Sequence, residues 1–367
     1  MIPYFLLFFV SFVIPLVIYK PMVAMSVEEY NSFCQKRNKM MITLFFVGIF
    51  VLLSLRHISV GVDLIEYKYI FQRCSRLSFG QLRSLRWEIG YTVYNKVISL
   101  ISKEYRFFLI ITAFITLIPI YKLYVRETKY GVLQIVLFVN MPCFFMIFSG
   151  LRQAIAISIG VIAYMMLERK KYVLTGILIV FAMCFHISAF VLVLLYPALL
   201  FKIKKKHLIF VVPMMVVLYI YKTPVLLFLI SILPTRYIDS YGVLKNTGAI
   251  GMLLLFLLFS VFSFVISDEE NMSTKDYLMR NILLISTLFQ FFVPIHGLIQ
   301  RASYYFLIFL PISIINVVQA PKRKLKNISD LAVIVMVCFF SFYFFFNAIY
   351  STDNLLDVFP YKFYWSK

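Results

Sequence analysis

The fold class is decided by one stretch, Phe148-Ser-Gly-Leu-Arg-Gln-Ala-Ile-Ala-Ile-Ser-Ile159. Apolar sequence extends for tens of residues on both sides of it, yet Arg152 and Gln153 stand in its middle. A charged side chain at the centre of a bilayer costs roughly 3 kcal/mol or more. The stretch therefore predicts a membrane helix over Leu151–Leu167 whose first turn, carrying Arg152, lies near the membrane surface.

The composition extends this interpretation to the whole chain. Hydrophobic residues make up 62% of the 367 residues and charged residues only 14%. The apolar runs are unbroken over about 16–20 residues, close to the length that crosses a bilayer as a helix. They lack the alternation that is typical of a membrane β-barrel. We predict an all-α, polytopic integral membrane protein with about 12 transmembrane helices, forming a single transmembrane domain over residues 1–367.

The charge distribution predicts the orientation. The net charge is +20, but Lys and Arg are spread between the apolar runs, which excludes a nucleic-acid-binding domain and fits contact with membrane lipid. The positive-inside rule places the clusters Arg169–Lys171, Lys202–Lys206 and Lys322–Lys326 in the cytoplasm. Both termini then lie outside, as do three polar segments. These are residues 56–106, 222–246 and 351–367.

The segment 56–106 is the longest of the three and holds about nine Lys and Arg residues, although it falls outside. Attraction to anionic lipid headgroups and a phosphate-binding site are two explanations for these cations. Helical spacing predicts two amphipathic helices lying in the membrane interface, Asp63–Phe71 and Gly90–Ile101. Gly61 predicts a tight turn before the first of them. The predicted apolar faces are Leu64, Tyr67, Ile70 and Phe71 in the first helix, and Tyr94, Val97, Ile98 and Ile101 in the second.

Unusual polar residues gather on the predicted outer face. The run Tyr172–Leu200 is too long for one span, which predicts a hairpin of two short helices with His186 at its tip. The other polar residues of this face are Arg56, His57, Asp63, Glu66, Glu88, Arg152, Gln153, His296, Gln300, Arg301, Asp357, Pro360 and Tyr361. The cytoplasmic loops contain little besides Lys, Arg and a few acids. This asymmetry predicts a functional site on the outer side.

Structural roles compete with functional ones at several of these positions. Asp63 and Glu88 are also suited to helix N-termini. Arg152 and Arg301 are also suited to anchoring at the interface. Tyr304 and Tyr305 fit either an aromatic belt or stacking on a sugar ring. For His186, the alternative to a proton-exchanging role is one local hydrogen bond.

Other chemistries lack their motifs. The sequence has no GxSxG, P-loop, HExxH or Rossmann glycine pattern. The spacing of His57, His186 and His296 fits no known metal-ligand pattern. We therefore predict neither a metal site nor a cofactor.

The order of several short motifs resembles the EpsG-type, or Wzy-like, polysaccharide polymerases of bacteria. The motifs are Arg56, Gly61-Val-Asp63 with Tyr67, Glu88-Ile-Gly-Tyr91, Ser149-Gly-Leu-Arg-Gln153, Phe185-His-Ile-Ser-Ala189, Arg301 with Tyr304-Tyr-Phe306, and Pro360-Tyr361. Together they cover most of the chain. Leu64 departs from the Thr or Ser that usually follows the Gly-x-Asp of the family.

The resemblance implies an integral-membrane glycosyltransferase of the GT-C-like kind, working without metal or nucleotide sugar. Such enzymes extend O-antigen, capsule or exopolysaccharide at the outer leaflet of the bacterial cytoplasmic (inner) membrane, with the active site facing the periplasm or exterior. The implied substrates are glycans linked to polyprenyl diphosphate. A chain-length regulator protein is a further implied partner. A flippase or transporter for the same lipid-linked glycan and an O-antigen ligase are the alternative functions.

The resemblance also implies roles for single residues. A leaving diphosphate needs cations, for which Arg152 and Arg301 are the first candidates and Arg56 the third. The acceptor hydroxyl needs a base. His186 is the first candidate for this base, and Asp63 and Glu88 are alternatives. The candidates for sugar binding are Gln153, Tyr67, Tyr304 and Tyr305.

Overall fold

The structure, a computed structural model, describes residues 2–19, 25–127, 130–231, 249–319, 326–350 and 355–366. The chain divides into two compact units, each described here by itself. The first comprises Met1–Phe190 with Ile334–Lys367, and the second comprises Val191–Val333. The described residues are helical and form no β-sheet. This confirms the all-α prediction.

Nine helices of the described chain lie in the first unit, which also takes most of a tenth, α17. They are α1 Ile2–Ile18, α2 Val27–Leu55, α3 Leu64–Arg76, α4 Ile89–Ile101, α5 Tyr105–Arg126, α6 Gly131–Asn140, α7 Pro142–Ser149, α8 Leu151–Glu168, α9 Tyr172–Met183 and α17 Lys326–Tyr350. Helix α2 packs against α1 and α5, and α8 packs against α5 and α9. Helix α8 is mostly buried, so the predicted span over Leu151–Leu167 is confirmed as a helix and lies at the centre of this unit.

The second unit is organised around α14. Its helices are α10 Leu195–Leu200, α11 Leu208–Ile220, α12 Lys222–Ser231, α13 Ala249–Val265, α14 Thr274–Phe292, α15 Gly297–Leu307 and α16 Leu310–Gln319. Helix α14 contacts α10, α12, α13, α15 and α16. Its buried Arg280 forms an ion pair with Glu269 at 2.9 Å and donates to the Ser263 carbonyl near the end of α13. This guanidinium therefore satisfies carbonyl groups that the end of α13 leaves open.

Length and apolarity identify the candidate spans. Among the described residues, α2, α5 and α8 are long and apolar enough to cross a membrane. Up to six spans result if each of three sharply bent helix pairs counts as one. Shorter apolar helices of 10–17 residues add to these. The structure therefore agrees with a polytopic membrane protein, and the count of about 12 spans stays a prediction.

Two helix boundaries differ from the apolar runs. The apolar run Met40–Leu55 predicts a span of that length, but α2 begins at Val27, because Ser26 and Glu29 form a capping box that starts the helix earlier. The apolar run Gly131–Phe148 predicts one continuous span, but the helix is broken into α6 and α7 with a bend of 65°. Pro142 explains this break, since a residue that precedes proline is disfavoured in a helix.

The amphipathic helices of segment 56–106 are both present. The predicted apolar face of α3 is buried within the protein, and its Phe71 ring lies 4.8 Å from that of Phe108 in α5. This face therefore contacts neighbouring helices, whereas the prediction placed it on the membrane interface. On α4 the predicted face is divided, because Ile98 is buried but Val97 and Ile101 are exposed. Asn95 is buried in their place, which is possible because its side-chain amide donates to the Tyr91 carbonyl in the same helix.

Candidate functional site

One end of the first unit joins the start of segment 56–106 to the end of the chain. An isolated antiparallel bridge pairs Arg56 with Phe363. The His57 N–H donates to the Lys362 carbonyl at 2.8 Å. Residues 355–366, which belong to the predicted outer segment 351–367, are therefore packed on the unit. Residues 351–354 and Lys367 lie outside the described residues.

Ser149 ties both of these segments to the start of α8. Its hydroxyl donates to the Leu356 carbonyl at 3.1 Å and accepts from the Val62 N–H at 2.7 Å. Gly61, with φ of +113°, makes the tight turn that the sequence predicted. Arg152 is three residues after Ser149, so the same contacts fix the backbone that presents its side chain.

Arg152 begins α8 and contacts two residues that precede α4. Its guanidinium forms an ion pair with Glu88 and lies over the ring of Trp87, 4.1 Å from the ring centroid. The Arg152 and Glu88 side chains are 19% and 18% exposed. The pair is therefore largely removed from water but remains open to solvent on one side. Glu88 is at the N-cap position of α4, yet its carboxylate makes no bond to the helix backbone.

Aromatic rings surround this ion pair. The Trp87 ring stacks on Tyr91, with centroids 5.7 Å apart, and meets Tyr67 edge-on at 5.5 Å. Tyr67 also hydrogen-bonds the Arg152 guanidinium. Sequence analysis named Tyr67 as a sugar-binding candidate and missed Trp87. Two features of the sequence indicated Trp87: it directly precedes Glu88, and it is one of only two tryptophans in the chain.

Arg56 is a second guanidinium, and it is buried. It is only 2% exposed, and its Cζ lies 5.8 Å from the centroid of the Phe148 ring. Among the described residues, its Nε and Nη1 have no hydrogen-bond partner. Burial lowers the pKa of Arg56 to about 10, which still leaves the group charged at neutral pH. A buried cation with unused donors favours an anion as its missing partner.

Both guanidinium groups lie beside the segment that leads into α8. The Arg56 Cζ lies 5.8 Å from the centroid of the Phe148 ring, and Phe148 shortly precedes Arg152 in the chain. Tyr67 interacts with the Arg152 guanidinium. The structure therefore brings Arg56, Arg152, Glu88 and Tyr67 together in one connected cluster at one end of the first unit. We call these four residues the arginine cluster.

His186 lies in a turn that touches the start of α4. The long run Tyr172–Leu200 is interrupted there, because α9 ends at Met183 and a 3-10 helix begins at Ile187, which confirms the predicted break at His186. The Gly90 N–H donates to the Cys184 carbonyl at 2.9 Å, which joins this turn to the segment after Glu88. The His186 ring is 6% exposed, and its Nδ1 lies 2.6 Å from the Ser188 hydroxyl. Its role as a base stays a prediction.

Asp63 and Gln153 flank the cluster. Asp63 occupies the N-cap position of α3 but its side chain makes no capping hydrogen bond, so capping does not account for its carboxylate. Gln153 is buried in α8 and has a partner within the protein. The roles predicted for Asp63 in catalysis and Gln153 in sugar binding stay predictions.

The remaining predicted site residues belong to the second unit. Arg301 lies on α15 and is partly exposed. Tyr304 and Tyr305, on the same helix, are 6% and 1% exposed. Packing within the unit is therefore a sufficient structural role for both rings. The predicted contacts of Arg301 with diphosphate and of the two tyrosines with sugar stay predictions.

His296 caps α15, and this contact makes the second unit sensitive to acid. The His296 Nδ1 accepts from the Leu298 N–H at 3.2 Å, which requires an unprotonated Nδ1. Burial lowers the pKa of His296 below its usual 6.5. In the window between the lowered value and 6.5, the unfolded chain binds more protons than the folded one, so stability falls as pH falls.

We therefore expect the melting temperature of the purified protein to drop below about pH 6.5, and a His296→Asn variant, which retains a capping acceptor but does not titrate, to lose part of this drop. Thermal unfolding of both proteins at a series of pH values measures it. Identical pH profiles would show that His296 does not contribute.

The arrangement suits anion binding better than metal binding. In the described ranges, no group of three or more His, Cys, Asp and Glu side chains is placed to hold a metal ion. Arg56 and Arg152 offer planar, permanently charged donors, which match phosphate oxygens in geometry. The Arg152 and Glu88 side chains both remain partly exposed, so an anion can reach this pair from solvent.

Comparison with known proteins identifies the family. The model of the EpsG family matches residues 39–363, which is most of the chain. The chain belongs to the EpsG family. No curated protein and no solved structure matches it. Membership of the EpsG family indicates a membrane protein of the polysaccharide polymerase type and confirms the resemblance predicted from the motifs. The arginine cluster lies within the matched residues and is the candidate active site of this EpsG-family chain.

Proposed function

We propose that the protein is a glycosyltransferase that polymerises oligosaccharide repeat units linked to polyprenyl diphosphate. The product is O-antigen or a related surface polysaccharide. The growing glycan leaves its polyprenyl diphosphate and is joined to a sugar hydroxyl of the next lipid-linked unit. No nucleotide sugar or metal takes part.

The observation that carries this proposal is the arginine cluster at the end of a membrane-sized helix. A glycan leaving polyprenyl diphosphate places negative charge on the departing phosphate oxygen. Preorganised cations at that point lower the barrier to glycan transfer, because they stabilise negative charge more strongly in a site shielded from water than in water. Arg152 and Arg56 supply two such cations, and Tyr67 and Trp87 supply aromatic surfaces beside them.

The two ends of α8 support an outward-facing site. Arg152 lies at the first turn of this helix, and Arg169 and Lys171 follow its last turn, next to an ion pair between Arg126 and Glu168 at 2.7 Å. By the positive-inside rule the basic end faces the cytoplasm. The arginine cluster then faces the periplasm or exterior, where lipid-linked repeat units are joined. A bundle of about 12 spans with a GT-C-like arrangement is part of this proposal.

The acceptor hydroxyl must lose its proton during transfer. His186, Glu88 and Asp63 are the candidate bases, and the first two belong to segments that touch at Gly90 and Cys184. Histidine is the side chain that most simply acts as a base near neutral pH. Glu88 needs release from Arg152 before it can serve, because the two side chains form an ion pair.

One reconstitution tests the function. Purified protein in detergent or liposomes is mixed with its own lipid-linked repeat unit, without nucleotide or metal and with a chelator present. We expect a ladder of glycans on polyprenyl diphosphate, resolved by gel electrophoresis or mass spectrometry. A transporter would move the unit across the liposome bilayer without a ladder, and an O-antigen ligase would transfer glycan to a different acceptor lipid only. Either of these results would overturn the proposal.

A further inference from the structure

The Arg152 guanidinium is already paired through its Nη1 with the Glu88 carboxylate and rests on the Trp87 ring. Its Nε is buried and has no hydrogen-bond partner among the described residues. A phosphate that binds at Nη1 competes with the Glu88 carboxylate for the N–H groups of that atom, since both anions accept hydrogen bonds from a guanidinium. Both side chains of the pair keep about one fifth of their surface exposed, so a ligand can reach them from solvent.

We propose that diphosphate binding displaces Glu88 from Arg152, and that the released Glu88 carboxylate is the base that accepts the proton of the acceptor sugar. This inference rests on the proposed polymerase function. In this proposal the Arg152–Glu88 ion pair keeps the base inactive until a donor lipid is bound.

Three features of the structure support displacement. The Glu88 side chain makes no hydrogen bond to the α4 backbone, so Arg152 is the contact that holds its carboxylate. A diphosphate carries more charge than a carboxylate and can engage a guanidinium through two oxygens, which favours it in the exchange. Arg56, with two unused donors behind Phe148, adds attraction for the incoming anion.

Release frees an oxygen of the carboxylate. In the pair, this Glu88 oxygen accepts from the Arg152 Nη1. The surroundings of Glu88 are aromatic, with Trp87 adjacent in sequence and Tyr91 stacked on it. Once the diphosphate has taken the guanidinium, the oxygen is open to a hydrogen bond from the acceptor hydroxyl, which a base must make before it takes the proton.

The step balances in atoms and charge. The acceptor hydroxyl oxygen forms a bond to the anomeric carbon of the donor glycan. The bond from that carbon to the phosphate oxygen breaks, and its electron pair leaves with polyprenyl diphosphate, whose charge Arg152 offsets. The hydroxyl proton moves to Glu88. Loss of the product diphosphate returns Arg152 to Glu88, which then gives its proton to solvent.

The test separates binding from turnover. The variant is Glu88→Gln, and the matched control is Glu104→Gln, which removes an exposed carboxylate at the N-cap position of α5. The probe is polyprenyl diphosphate without glycan, whose binding to the purified full-length protein is measured by titration. Polymer formation is measured with the lipid-linked repeat unit, and thermal unfolding shows whether each variant is folded.

We expect Glu88→Gln to bind polyprenyl diphosphate about five- to tenfold more tightly, because the competitor for Arg152 is gone. We expect the same variant to polymerise roughly 100-fold more slowly, because the base is gone. Glu104→Gln should match the wild-type protein in both measurements. Opposite changes in binding and rate are the signature, since a purely structural role of Glu88 would weaken both.

Two results would overturn the inference, and a third would overturn the polymerase proposal instead. Unchanged or weaker probe binding by a folded Glu88→Gln protein would show that the ion pair does not compete with diphosphate. Retained polymerisation would show that Glu88 is not the base, and loss of activity in His186→Ala with activity kept in Glu88→Gln would move that role to His186. Arg152-dependent probe binding that tightens in Glu88→Gln, without any ladder from the wild-type protein, would instead overturn the polymerase proposal while supporting the competition.

Discussion

Replacing Arg152 with Ala should abolish the glycan ladder while leaving the protein folded. The guanidinium contacts Glu88, Trp87 and Tyr67. Removing one preorganised group that stabilises developing negative charge typically costs a factor of about 10² to 10³ in rate. In the reconstituted assay we expect a loss of at least this size, together with weaker binding of polyprenyl diphosphate.

Two further variants define the cause of that loss. Arg152→Lys keeps the charge but not the planar, two-pronged donor, so we expect it to recover only part of the activity. Arg169→Ala removes an exposed arginine at the other end of α8 and should behave like the wild-type protein. Normal ladders from a folded Arg152→Ala protein would refute the role of the arginine cluster in catalysis.

Replacing Gly61 with Ala should damage both stability and activity. Gly61 has a φ of +113°, a conformation that residues with a side chain rarely adopt. A Cβ at this position would lie 2.5 Å from the Phe148 carbonyl oxygen, a backbone atom that cannot turn aside. The strained backbone alone costs about 1–3 kcal/mol. We expect a lower melting temperature and a large loss of polymer, because displacing Phe148 also displaces the start of α8.

Gly80 provides the control for this experiment. It opens the short 3-10 helix Gly80–Ser84, and a Cβ there would meet no atom within 4 Å. Gly80→Ala should therefore be neutral or slightly stabilising, since it lowers the conformational entropy of the unfolded chain. Equal melting temperatures and activities for the two alanine variants would contradict the assignment of the turn at Gly61 as a fixed part of the site.

Helix positions could be predicted from the sequence where local pattern is sufficient. The ends of α5 and α8 follow from apolar runs closed by charged residues, and the start of α3 follows from Gly61 and Asp63. Apolar runs alone do not predict the early start of α2 or the break at Pro142. The first depends on a capping box and the second on a proline.

The arrangement of the site could be predicted only in part. The motifs singled out Arg152, Glu88 and Tyr67 as functional candidates, and the structure brings these three residues together. Their pairing could not be predicted, because Arg152 and Glu88 are 64 residues apart and no local spacing relates them. Sequence reasoning consequently treated Glu88 as a free carboxylate and Arg152 as a free cation. Tertiary contact changes the chemistry of both.

The packing of residues 355–366 has a consequence for genetics and for protein engineering. The Tyr361 hydroxyl donates to the Leu52 carbonyl at 2.7 Å, and the Lys362 carbonyl accepts from the His57 N–H. Residues 355–366 therefore hold the backbone on both sides of Arg56. A stop codon in place of Leu355 should consequently behave as a null allele, even though the described helices up to Tyr350 are still translated.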